Sequence, residues 1–166
     1  VVFGSADPAQ IKQLDGLALL RGMADGTVPA PTMAETLNYW FHVIENGRVV
    51  FRGEPNAGFF NPLGTVHGGY TATLLDSCMG CAVHSTLPKG VSYTTLEFKV
   101  SLLRAVTSET GPVRAEGLIV SSGRRVATAE GKLTVLEVWN HERLRARVEG
   151  KPLTKADLAV LAAAGI

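Results

Sequence analysis

Apolar side chains at Ile11, Leu14, Leu17 and Leu20 recur every third residue before Gly26, a spacing that lines one face of a helix. Asp7 reads as the N-cap of this helix and Pro8 as its first residue, because proline's missing N–H costs nothing there. Residues 27–31, with prolines at 29 and 31, read as a linker. Thr32 with Glu35 reads as a capping box opening a short turn. Residues 38–45 are rich in aromatic and β-branched side chains, Asn46-Gly47 is a strong tight-turn signal, and residues 48–52 resume the strand pattern. That order predicts a β-hairpin. Residues 53–63, holding Pro55, Gly58, Asn61 and Pro62, predict a loop.

The pattern then changes. From Gly68 to about Thr86 the chain carries Ala, Leu, Met, Cys and small polar residues, one acid (Asp76), and no Lys, Arg or Glu. A helix of that composition is expected to be buried nearly all round. Pro88-Lys89-Gly90 ends it, and three extended runs follow at 91–103, 112–121 and 124–138, predicting an antiparallel meander. Residues 141–148 and 154–164 read as C-terminal helices, with Thr154 as a cap after Lys151-Pro152. Hairpin, apolar helix and meander together predict an α+β domain in which one antiparallel sheet wraps a long central helix. One domain over 1–166 is expected, with helical segments at its two ends, within 1–31 and 140–166.

Composition narrows the function. A chain of 166 residues is long enough for one self-sufficient core. Its 46% hydrophobic and 19% charged content is that of a globular chain. A net charge of +1, with basic and acidic residues interspersed, argues against a nucleic-acid partner. Cys78 and Cys81 lie one helical turn apart and make no secreted disulfide framework, which favours a reducing compartment. With neither a visible signal segment nor an apolar stretch of about 18 residues, the expectation is a cytoplasmic protein without a membrane partner.

The chemistry concentrates between Asn61 and Asp76. Two glycines, Gly68 and Gly69, open the central helix and leave backbone N–H groups uncovered where the helix dipole is positive, in outline an oxyanion hole. Asp76 is the one carboxylate in an apolar helix, so its burial calls for hydrogen-bond donors or for a chemical task. Gly68 and Asp76 are eight residues apart, about 12 Å along one straight helix, too far to serve one carbonyl carbon together. If both act, antiparallel helices from two subunits must bring the Gly68 end of one beside Asp76 of the other, which predicts a two-fold dimer with two shared sites.

The run N-x-x-G-x-x-H-G-G-x-x-x-x-x-x-D from Asn61 to Asp76 resembles the signature of hotdog-fold acyl-CoA thioesterases of the phenylacetyl-CoA (PaaI-like) subfamily. The resemblance continues through residues 96–104 and 123–130 and covers roughly 32–139; Ala105 stands where many relatives have proline. It implies a hotdog fold that hydrolyses an aryl- or medium-chain acyl-CoA as a homodimer or homotetramer, without a cofactor beyond the coenzyme A of its substrate. It further implies that Gly68 N–H receives the thioester oxygen and that Asn61 orients the carbonyl or the water. Asp76 would act as nucleophile or general base, and Thr95, or Thr94 one residue earlier, would position the water. His67 would organise the helix start.

Other signals weigh less. Cys78, Cys81 and His84 fall short of a zinc set, since no second ligand pair exists, and packing accounts for them. Arg124 and Arg125, at a turn, are candidates for coenzyme A phosphates, with a solvated hairpin tip as the plainer reading. Gly69 and Tyr70 are candidates for substrate contact, Tyr70 because it follows the oxyanion glycines directly and is expected to face out from the helix start. Trp40 and Phe41 read as core. Two rival functions stay open: a non-catalytic acyl-CoA binding module, and a hotdog hydratase or dehydratase using His67.

Overall fold

The structure is a computed structural model and describes residues 1–135. The C-terminal helices expected at 141–148 and 154–164, and the end of the last strand, lie outside the described residues. Four α-helices and four strands follow in the order α1 (Pro8–Gln13), α2 (Gly16–Asp25), α3 (Thr32–Thr36), β1 (Tyr39–Glu45), β2 (Arg48–Gly53), α4 (Gly68–His84), β3 (Val113–Ser122) and β4 (Ala127–Val135), with a 3-10 turn at Ala57–Phe59. The strands form one antiparallel sheet in the order β1-β2-β3-β4, and α4 packs across β2, β3 and β4. The α+β architecture with a central helix against an antiparallel sheet is as the sequence predicts.

Close helix–sheet approach depends on glycine. Gly117 of β3 pairs with Gly131 of β4. A Cβ on Gly117 would strike the Cys78 carbonyl, and one on Gly131 would meet Met79 at 2.9 Å. The helix backbone therefore rests directly on Gly117, while the Met79 and Leu75 side chains pack over Gly131. Leu74, Cys78 and Ala82, one helical turn apart, are fully buried and form the stripe facing the sheet, with Val49, Phe51, Val113 and Ala115 opposite. At the far end of α4, Ser85 Oγ accepts from Gly47 N–H at 2.8 Å, tying the β1–β2 turn to the helix. Glu45 pairs with Arg48 across that turn, where Gly47 takes φ +77°, a value glycine adopts without steric cost.

Four expectations need correction. The N-terminal helix is two helices: Leu14 is extended (φ −105°, ψ 144°), and Asp15 caps a new start by accepting from Ala18 N–H at 2.8 Å. A second capping residue inside the apolar repeat stops the first helix. Thr32 is the first residue of α3, not its cap; Pro31 holds the cap position and makes no side-chain hydrogen bond there. Helix α4 is not buried all round: Ala72, Asp76 and Val83, on the side away from the sheet, are half-buried, as are Thr73 and Ser77 on its flanks. Finally, residues 91–103 form no strand of the meander. They run along the open side of α4, with Tyr93 against Gly80, Thr95 at Asp76 and Leu102 against Gly68. Local propensity supplies an extended backbone, but a ladder also needs an edge to pair with, which is not a local property.

Candidate active site

The site is built from the loop before α4, the first half of that helix, and the extended segment beside it. Asn61 closes the loop on itself: its Oδ1 accepts from Leu63 N–H (2.9 Å) and Thr65 N–H (3.2 Å), while its Nδ2 donates to Thr65 Oγ1 at 2.9 Å. Gly64 completes the reversal at φ +78°. The loop is pinned on either side, Val66 N–H donating to the Val106 carbonyl and His67 N–H to the Phe59 carbonyl. Asn61 therefore holds the shape of the approach to the helix, with one Nδ2 hydrogen left over for another acceptor.

His67 is the N-cap of α4. Its Nδ1 accepts from Gly69 N–H at 2.9 Å, so Gly69 serves the cap. No acceptor for the Gly68 N–H exists among the described residues, which leaves a backbone donor at the positive end of a 17-residue helix. Leu102 covers the Cα side of Gly68, where an added Cβ would come 2.7 Å from Leu102 Cδ1. Leu102 is 59% exposed, so the free donor lies beside an exposed leucine. Sequence reading missed Leu102 as a neighbour of the helix start; its place near the end of an extended run, in the Leu-Leu pair before Arg104, was the available signal.

Two turns along the same helix Asp76 is half-buried, and its Oδ1 accepts from Thr95 Oγ1 at 2.9 Å. Of the two threonine candidates it is Thr95, not Thr94, that reaches the carboxylate. Gly68 and Asp76 of one chain remain about 12 Å apart along the helix axis, as helical rise requires.

Tyr70 does not face outward. It is 4% exposed, stacked on Phe59 with centroids 5.1 Å apart, because it begins the same i, i+4 stripe as Leu74 and Cys78 that faces the sheet. Its hydroxyl is buried near Gly53 without a hydrogen-bond partner among the described residues, and burial pushes its pKa up. Arg124 and Arg125 are exposed in the β3–β4 turn. That turn sits at the end of the sheet near the C-terminus of α4, alongside the β1–β2 turn that Ile119 N–H and Ser85 bind, so these arginines are remote from Gly68 of their own chain. Cys78 and Cys81 are free thiols pushed up to about 12, chiefly by burial, and Cys78 Sγ donates to the Leu75 carbonyl. Packing accounts for both. Among the described residues no cluster of metal-ligating side chains occurs, and no helix is long and apolar enough to cross a membrane.

In fold and site the chain resembles the hotdog-fold thioesterases: residues 63–138 match the thioesterase superfamily model. A crystal structure from Ralstonia eutropha JMP134, of a phenylacetic acid degradation-related protein assigned provisionally to the thioesterases, superposes with a TM-score of 0.65 at 29% identity, over 70% of this chain and 88% of that one. A Streptococcus pneumoniae TIGR4 protein assigned provisionally to the thioesterases, in a crystal structure with coenzyme A, matches with a TM-score of 0.54 at 28% identity, over 60% of this chain and 77% of the other. In sequence alone, a Halobacterium salinarum protein whose name assigns it provisionally to the esterases is 42% identical over 69 residues, 40% of this chain. The match spans 44% of that relative's length.

Proposed function

We propose that the chain hydrolyses an acyl-CoA thioester to the free acid and coenzyme A at a site shared between two subunits. The observation that carries this reading is the division of parts along α4: a Gly68 N–H without an acceptor at its start, and the Thr95–Asp76 pair two turns on. In the proposed dimer the Gly68 N–H receives the thioester oxygen as negative charge develops on it. The partner's Asp76 either attacks the carbonyl carbon, forming an acyl–carboxylate anhydride that water then opens, or takes a proton from the attacking water. The partner's Thr95, donating to Asp76 Oδ1, holds the carboxylate so that its other oxygen points at the reaction. Asn61 contributes through the loop that presents the helix start, with its remaining N–H available to the carbonyl or the water.

Three features support the two-chain arrangement. The open side of α4 and the segment over it expose Leu96 (78%), Phe98 (43%) and Leu102 (59%), apolar surface that a second copy would cover. β4 pairs only with β3 among the described residues, so its other edge is available for further pairing. With antiparallel helices, the end of the sheet carrying Arg124 and Arg125 lies toward the partner's helix start, a suitable place for coenzyme A phosphates. The coenzyme A in the Streptococcus pneumoniae structure supports that substrate class. An aryl or medium-chain acyl group, a tetramer built from two such dimers and a cytoplasmic location belong to the same proposal.

A hydratase would need His67 as its base, but His67 Nδ1 is already engaged as a helix cap, which favours hydrolysis. The deciding experiment follows CoA release with a thiol reagent on phenylacetyl-, hydroxybenzoyl-, hexanoyl- and palmitoyl-CoA, with crotonyl-CoA hydration measured in parallel. Turnover that falls about a hundredfold or more in a still-dimeric Asp76→Ala variant is expected. Tight acyl-CoA binding by both proteins without turnover would instead establish a binding module.

A further inference from the structure

Residues 91–103 run along the open side of α4, yet among the described residues their backbone joins no ladder. The bond from Thr95 to Asp76 is the one hydrogen bond that residues 92–103 make there. Side-chain contacts must therefore hold the segment in place. Tyr93 lies with the hydroxyl end of its ring over Gly80: a Cβ on that glycine would come 2.5 Å from the Tyr93 oxygen and 2.8 Å from Cε2. The absence of a side chain at 80 is thus a notch that Tyr93 fills. The same ring meets His84 edge-on, with centroids 5.3 Å apart. His84 is backed in turn by the start of α2, since a Cβ on Gly16 would strike the His84 carbonyl and lie 2.8 Å from its ring. That backing comes from outside the stretch matching the thioesterase model, residues 63–138.

We propose that Gly80 and Tyr93 are positioning residues that act as a register key: the Tyr93 ring seated in the Gly80 notch determines which threonine reaches Asp76. The catalytic consequence rests on the thioesterase reading; the key itself is a matter of spacing. Tyr93 and Thr95 are two residues apart, which is about 6.6 Å along an extended chain. Gly80 and Asp76 are four residues apart, which is about 6 Å along the helix axis. The two spacings agree within about 1 Å, so seating Tyr93 at Gly80 brings Thr95 to Asp76. The contact of Leu102 with Gly68 cannot do the same. Seven extended residues from Thr95 span about 23 Å, whereas Asp76 to Gly68 is about 12 Å of helix, so that anchor leaves chain to spare.

A key is needed because the local sequence, Ser92-Tyr93-Thr94-Thr95, is nearly indifferent to a slip. Side chains of an extended chain alternate, so a shift of one residue turns each of them to the opposite side. Thr94 would then meet Asp76, and Ser92 would stand at Gly80. The carboxylate would still be offered a hydroxyl, and no backbone ladder among the described residues would resist the change. What the slipped register loses is the ring over the notch, because a serine is too short to fill it and reach His84. The aromatic ring therefore supplies the discrimination that the two adjacent threonines lack.

Filling the notch tests the key. Gly80→Ala adds one methyl group where the Tyr93 ring sits and is otherwise a change that favours a helix. On the most active thioester it is expected to lower kcat about tenfold, with KM changed about twofold or less. Tyr93→Ala empties the notch without adding bulk; it is expected to show the same loss and keeps the test available should Gly80→Ala fail to fold. Tyr93→Phe, whose ring still occupies the notch, is expected to stay within about threefold of wild type. The double variant Gly80→Ala/Thr95→Val is expected to be about as active as either single one, because both changes remove the same hydrogen bond. Losses that multiply to about a hundredfold in the double variant, or wild-type kcat in both Gly80→Ala and Tyr93→Ala, overturn the proposal. A crystal structure of the Gly80→Ala or Tyr93→Ala protein reads the register whether or not any thioester is turned over. Thr95 Oγ1 is expected beyond hydrogen-bond reach of Asp76, and an intact Thr95–Asp76 bond overturns the key. A displaced Thr95 together with a wild type that turns over no thioester overturns the thioesterase reading instead, and with it the key's catalytic use.

Discussion

A single hydrogen bond, Thr95 Oγ1 to Asp76 Oδ1 at 2.9 Å, separates two neighbouring threonines that sequence alone leaves equivalent. Thr95→Val keeps the shape and removes the donor. It is expected to lower kcat about tenfold or more with the melting temperature little changed, while Thr94→Val has no comparable effect; steady-state kinetics on the two variants checks this. At the other end of the site, Gly68→Pro deletes the free N–H at a helix position where proline is tolerated. The ring would meet the movable end of Leu102. Its expected result is a folded protein by circular dichroism with turnover reduced about a hundredfold or more. Away from the site, Arg114 and Arg48 hold the Glu116 carboxyl down to about 2 through hydrogen bonds. Because the folded value lies below the ordinary 4.5, the carboxylate stabilises the fold above that value and loses its effect as pH falls towards about 2. Melting curves of wild type and Glu116→Gln should therefore differ near neutral pH and converge as pH falls from 4.5 to about 2.

At the scale of elements, α4 does two things at once. Its stripe of Tyr70, Leu74 and Cys78 builds the core, and its opposite side carries Asp76 and the cover of residues 91–103. Truncating Leu74, which is fully buried, is expected to cost about 2–5 kcal/mol of stability by creating a cavity, readable in urea unfolding. The hairpin, the helix and the last two strands were legible because each rests on local pattern: alternation, a tight-turn dipeptide, an i, i+4 stripe. The break at Asp15 was also written locally, but the every-third-residue apolar repeat ran across it and masked it. The 91–103 segment was misjudged because its pairing depends on an edge outside itself. Tyr70 was misplaced for a related reason: adjacency to Gly68 and Gly69 says nothing about which way a helix is rotated on its sheet.

At the scale of the molecule, the separation of Gly68 from Asp76 on one rigid helix makes assembly part of the proposed chemistry. Gly68→Pro and Asp76→Ala proteins, each inactive alone, should regain activity when mixed and allowed to exchange subunits. About half the dimers would then be mixed and hold one intact site of two, roughly a quarter of wild-type turnover. No recovery, with subunit exchange verified by mass, would refute a shared site. The sequence by itself determined the α+β class, the hairpin, the apolar helix and its glycine start, the acid two turns along, and even the distance that forbids a one-chain site, because all of these follow from residue spacing and the fixed rise of a helix. Only the tertiary structure decided which threonine meets Asp76, that Asn61 spends its side chain on its own loop, that His67 takes the Gly69 N–H, and that Tyr70 is core. Those outcomes turn on how α4 is rotated and seated on the Gly117–Gly131 pair and on which groups the loops bring within hydrogen-bond reach, and no local pattern along the chain encodes either.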